Sequence, residues 1–84
     1  MNPQVERAIE DLARRQGADK SQIVVVSVDE VEWRDASLGC PQPGQMYAQV
    51  ITPGYRITLE IGGKQYPYHA DLNRRVFLCE QPRK

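Results

Sequence analysis

Residues 55–70, Tyr-Arg-Ile-Thr-Leu-Glu-Ile-Gly-Gly-Lys-Gln-Tyr-Pro-Tyr-His-Ala, decide the fold. Tyr55, Ile57, Leu59 and Ile61 alternate with Arg56, Thr58 and Glu60, the period of a strand with one buried face. Gly62-Gly63 then supplies a two-residue hairpin loop. A loop of that length sets the register: Ile61 faces Lys64, Leu59 faces Tyr66, Ile57 faces Tyr68 and Tyr55 faces Ala70. Tyr66 and Tyr68 thereby join the apolar face. Arg56, Thr58, Glu60, Gln65, Pro67 and His69 share the other, which reads as polar and wet. Pro67 removes a ladder donor, so its strand should be an edge or bulged there. Asp71-Leu72-Asn73-Arg74 turns the chain into a short last strand over 75–79.

Upstream, Thr52-Pro53-Gly54-Tyr55 has the form of a type II turn, with Pro at the second and Gly at the third position. Met46 to Thr52 reads as a strand entering it. Residues 22–34, QIVVVSVDEVEWR, read as one long strand. Its valine-rich first half should be covered on both faces, or on at least one by a helix. Its second half is one-sided, Val31 and Trp33 alternating with Glu30, Glu32 and Arg34, and a bulge near Asp29–Glu30 would re-aim it. That helix is residues 3–16, where Val5, Ala8, Ile9, Leu12 and Ala13 line one face. Asn2 suits the N-cap, Pro3 the first turn and Gly17 the left-handed terminus. The fold expected is α+β, an N-terminal helix on an antiparallel sheet of four to five strands. Residues 1–84 form a single domain, with 1–2 and 80–84 as disordered ends.

Composition narrows the function classes. At 84 residues, 40% hydrophobic and 26% charged, the chain is an ordinary small globular domain. Eleven basic residues balance eleven acidic ones, which argues against nucleic acid, whose binding is driven by excess Lys and Arg. No apolar run approaches the ~20 residues of a membrane span. The first residues alternate charged and apolar groups without the apolar core of a signal peptide. Taken as complete, the chain is expected to be cytoplasmic; as a fragment of an exported protein, it would be extracytoplasmic.

Trp33 to Tyr47, WRDASLGCPQPGQMY, holds the only tryptophan and one of the two cysteines. A plain connection would be shorter and would not need these residues. Trp33, Tyr47 and Tyr55 flank it, side chains that join large apolar area to a polar tip and are frequent in interface hot spots. With Asp35, Ser37, Arg56 and His69 they make up the candidate binding surface. A competing reading makes Trp33 the keystone of a small core and Asp35 a turn cap. Cys40 and Cys79 are a candidate disulfide, with Cα atoms expected ~5–6 Å apart; two separate thiols are the alternative, favoured in a reducing compartment. A metal site from Cys40, Cys79, His69 and Asp71 lacks the usual short ligand spacing, and neither metal nor cofactor is expected. A nucleophile from Ser37 or Cys40, with His69 as base and Asp35 or Asp71 as orienter, has no supporting elbow motif. No catalytic residue is assigned.

Three motifs carry a resemblance. W-x-D-x-S-L-G-C from Trp33 to Cys40, T-P-G-Y-R-I from Thr52 to Ile57, and Y-x-Y-H-A-D from Tyr66 to Asp71 resemble a group of small bacterial domains without assigned function. Some of these occur in exported proteins or lipoproteins. The helix followed by a strand is more loosely similar to PepSY-type domains, a family with a role in peptidase regulation. Neither likeness supplies a catalytic residue. The function expected is a non-catalytic binding module that presents the 33–47 loop to a protein or cell-envelope partner. The alternative is a peptidase inhibitor or regulator that uses the loop around Cys40.

Overall fold

The computed structural model describes residues 2–79. One helix and four strands follow in the order α1 (Pro3–Gln16), β1 (Val24–Trp33), β2 (Thr52–Ile61), β3 (Lys64–Asp71) and β4 (Val76–Leu78), with a short 3₁₀ turn at Lys20–Gln22. The sheet is antiparallel in the order β1-β2-β3-β4. The fold is therefore α+β, as the sequence predicts. Of the ends expected to be disordered, 1–2 and 80–84, residue 1 and residues 80–84 lie outside the described residues, and Asn2 is the N-cap of α1.

Helix α1 starts and stops for local reasons. The Asn2 side chain accepts from the Gln4 N–H at 2.8 Å, and Gly17 adopts the left-handed φ of 60° that ends the helix. Its apolar face, Val5, Ala8 and Leu12, joins Ile57, Leu59, Tyr68 and Ala70 in one core. Each large aliphatic buried there contributes roughly 1.5–3 kcal/mol. Tyr68 is buried within that core, yet its hydroxyl reaches Asp11 on the helix at 2.7 Å. Burial, then this bond, raises the phenol pKa far above its ordinary value. Gln4, also buried, donates to the Asp71 and Asn73 carbonyls at 2.7 and 3.1 Å and ties the helix start to the β3–β4 turn.

The β2–β3 ladder has the register read from the sequence, from Ile61↔Lys64 to Tyr55↔Ala70. Pro67 sits where β4 runs out: Leu78 pairs with Tyr68, and the Cys79 N–H closes on the Pro67 carbonyl at 2.9 Å.

Four expectations are corrected. Thr52-Pro53-Gly54-Tyr55 is not a turn but the start of β2, paired with Trp33, Glu32, Val31 and Glu30. Gly54 is required there for space: a Cβ would overlap the Ala70 carbonyl oxygen on β3. Residues 46–51 form no strand. They lie beyond Trp33↔Thr52, where the β1–β2 ladder has ended, and one bond, from the Ala36 N–H to the Ala48 carbonyl at 3.0 Å, does not make a ladder. The long strand starts at Val24 rather than Gln22, and its bulge lies between Val25 and Ser27, not at Asp29–Glu30. Finally, the valine run is not covered. Val24, Val25, Val26 and Val28 are 57, 37, 45 and 41% exposed. A helix about 10 Å wide covers only part of a four-stranded sheet with strands about 4.8 Å apart, and α1 packs over the core residues of β2 and β3 and against β4, leaving the valine end of β1 uncovered.

Candidate functional site

The chain between β1 and β2, residues 34–51, folds back over the sheet face opposite α1 as a thin second layer. Three fastenings hold it. First, Cys40 is joined to Cys79 by a disulfide, with Cα atoms 6.0 Å apart. This agrees with the separation expected from the sequence. Second, the Arg75 guanidinium, lying over the Phe77 ring, donates to the Ala36 carbonyl. Third, the Leu38 carbonyl accepts from the His69 ring, which stacks on Trp33 at the end of β1 with ring centroids 4.6 Å apart and an interplanar angle of 22°.

Trp33 is 7% exposed, and its indole N–H donates to the Ala70 carbonyl at 3.0 Å. Arg56 lies over its ring at 5.9 Å. Gly39 rests on the same ring, where a Cβ would come within 2.6 Å of the indole. Leu38 precedes it, fully buried and itself at a left-handed φ of 57°. That conformation costs a leucine about 1 kcal/mol or more. The Leu38 carbonyl accepts from His69 Nδ1 at 2.7 Å, a partner held rigidly by the sheet. Because a carbonyl only accepts, Nδ1 carries the proton of the neutral ring.

His69 has its pKa lowered, chiefly by burial and further by nearby Arg56, against the opposing Leu38 bond. The native state therefore resists a proton that the unfolded chain takes up below about pH 6.5. More protons bound in the unfolded state means stability falls as pH falls. The contribution is complete above pH ~6.5 and is lost progressively below it, through the lowered native pKa. His69 is the only histidine, so the urea midpoint of wild type should drop between pH 7.5 and 5, and His69→Gln should flatten that slope. Parallel profiles for the two proteins would show that the ring is not buried as described.

Asp35 and Ser37 form a closed local turn. Asp35 accepts from the Ser37 N–H at 2.9 Å and from its hydroxyl at 2.6 Å, and these bonds hold the Asp35 pKa below its ordinary value. Ser37 is buried. Its hydroxyl is thus spent on Asp35, the Cys40 sulfur on Cys79, and His69 Nδ1 on Leu38. Asp71 accepts from the Asn73 and Arg75 N–H groups at 2.8 and 3.1 Å. Each residue that could be drawn into a nucleophilic set has a structural partner instead. Among the described residues no group of three or more His, Cys, Asp or Glu is placed to hold a metal ion.

The candidate surface is divided by the sheet. Trp33, Asp35, Ser37, Arg56 and His69 belong to the loop face. Tyr55 lies on the helix side, packed against the core and lining a shallow cleft with Glu30, Glu32, Pro53 and Leu72. Tyr47 is half-buried, and its hydroxyl accepts from the Gln42 N–H at 3.0 Å, drawing together the base of a protruding tip. Within that tip the Gln45 N–H bonds the Gln42 carbonyl at 3.2 Å, and Gly44 supplies the left-handed residue of the turn at φ 78°. Pro41 to Met46 are all exposed, Met46 at 95%. Leu38 and Arg75 are essential to this arrangement but carry no sequence signal of it. Leu38 looks like any apolar loop residue, and Arg75 like a solvated turn cation.

A family model described as a domain of unknown function, DUF8738, matches residues 5–79. The chain belongs to the DUF8738 family. The match takes in helix, sheet and loop together, and agrees with the likeness to small domains without an assigned function. No curated protein and no solved structure matches the chain.

Proposed function

We propose that this DUF8738 domain is a non-catalytic binding module whose contact element is the loop tip, Pro41 to Tyr47. The observation that carries this reading is the contrast along the loop. Residues 37, 38 and 40 are buried, the last of them covalently tied down, while the next six residues form an exposed turn closed by Tyr47. A shape already fixed before binding avoids much of the entropy cost of ordering a loop on a partner. The partner proposed is a protein or a component of the cell envelope. The disulfide favours an oxidising compartment. No described helix is long and apolar enough to cross a membrane.

Trp33 and Ser37 are too buried to serve as contacts and act by holding the tip in place. The tip itself is therefore what a binding test must change. Wild type and a Gln45→Ser, Met46→Ser variant, immobilised at equal density, are expected to retain a partner with affinities differing by at least about tenfold. A folded variant that keeps every partner of the wild type would overturn this reading. An inhibitory loop held extended in a peptidase cleft finds less support, because residues 42–45 turn. Residual activity of serine, cysteine and metallo-peptidases in the presence of excess protein distinguishes the two readings.

A further inference from the structure

We infer that the free edge of β1 is an interface between two copies of this chain, paired antiparallel through Val24 to Val28. β1 ends the sheet order, so the ten-residue strand has one unpaired backbone side. None of its residues enters the core around α1, and the loop layer covers only the far end at Trp33. The valines are therefore open on the edge and on the sheet faces. Exposed edges are ordinarily blunted by charge, proline or a bulge. Here the charges, Asp29, Glu30 and Glu32, protect only the second half. The bulge between Val25 and Ser27 falls at Val26, so pairing along this edge runs as two short arms on either side of it.

Charge selects both the occupant and its direction. Asp29, Glu30 and Glu32 belong to none of the described ion pairs. A parallel copy in register would set these acids beside one another, as would an antiparallel copy centred on Glu30. An antiparallel pairing centred on Val26 sets Val24 of each copy opposite Val28 of the other. It also separates the two acidic stretches and brings each Lys20 towards the Glu30–Glu32 end of its neighbour. The exposed 3.6 Å contact of Lys20 with Glu10 is weak enough to yield. The result is a continuous two-fold sheet, the commonest symmetry of small oligomers.

Sedimentation equilibrium of the full oxidised chain, from about 5 μM to about 1 mM, tests the pairing. Wild type should approach the dimer mass at the upper end. Val24→Lys with Val28→Lys should weaken association at least about 100-fold, with an unchanged circular-dichroism spectrum, because both positions are exposed. Met46→Ser should leave association unaltered, which separates this surface from the loop tip. Should the lysine variant fold poorly, amide exchange of β1 in wild type provides the same test, with protection rising from dilute to concentrated protein. A monomer throughout the range, or a dimer that survives both lysines, would overturn the inference. So would a monomer that accepts only an unrelated extended peptide at this edge.

Discussion

Opening the Cys40–Cys79 bond is expected to lower the unfolding free energy by about 4 kcal/mol. The two cysteines are 39 residues apart, and cross-linking them removes that much loop-closure entropy from the unfolded chain. A domain of this size has a total stability of only about 4–12 kcal/mol, so the reduced protein should sit near its folding limit. Both cysteines are almost fully buried, so a Cys79→Ser variant adds the cost of an unpaired hydroxyl. Paired Cys40→Ala, Cys79→Ala substitution isolates the cross-link better. Urea unfolding with and without reductant checks the figure. The denaturant slope should also rise on reduction, because the unfolded chain becomes more expanded. A midpoint indifferent to reductant would mean that the bond does not constrain the domain.

Trp33→Ala should cost about 3–5 kcal/mol. The substitution removes the stack on His69, the bond to the Ala70 carbonyl and the ring that supports Gly39. It also leaves the Ala70 carbonyl without that donor. Trp33→Phe retains most of the stack but not the indole N–H, and should recover more than half of the loss. Trp33 and the disulfide fasten the same loop, so their effects should not add. A double-mutant cycle in the oxidised and reduced states is expected to show a coupling of at least about 0.5 kcal/mol. Strict additivity would mean that the two act on separate parts of the molecule. The variant should, in addition, lose the His69-dependent pH slope, because the ring would no longer be buried.

The hairpin, the helix and the cross-link were legible because each is governed by local rules. Two glycines set a register, Asn2, Pro3 and Gly17 bound a helix, and two cysteines in a small domain have few other uses. What the sequence concealed was tertiary competition. Pro53-Gly54 spells a turn, yet Gly54 is there because β3 passes too close for a side chain. The pattern Met46–Ile51 spells a strand, but β1 and β3 already occupy both sides of β2. The valine run spells a buried strand, although one helix is too narrow to cover it. The hairpin alone puts His69 on a wet face, because it cannot reveal that a loop from 31 residues earlier lies upon it. Trp33 lies buried beneath that layer, stacked on His69 and bonded to the Ala70 carbonyl.

The 34–47 segment is a fixed second layer with a preformed tip, fastened through the Cys40–Cys79 bond and through Leu38 and Gly39 on the Trp33–His69 stack. Backbone ¹⁵N relaxation of residues 36–47, recorded with nuclear Overhauser contacts between the Trp33 and His69 rings, tests this most directly. In the oxidised protein the order parameters should approach the rigid-backbone value of about 0.85, with ring contacts present. Reduction should bring residues 40–46 below about 0.6. Order parameters already below that level in the oxidised protein, or an absence of Trp33–His69 contacts, would mean that the segment is not a fixed layer.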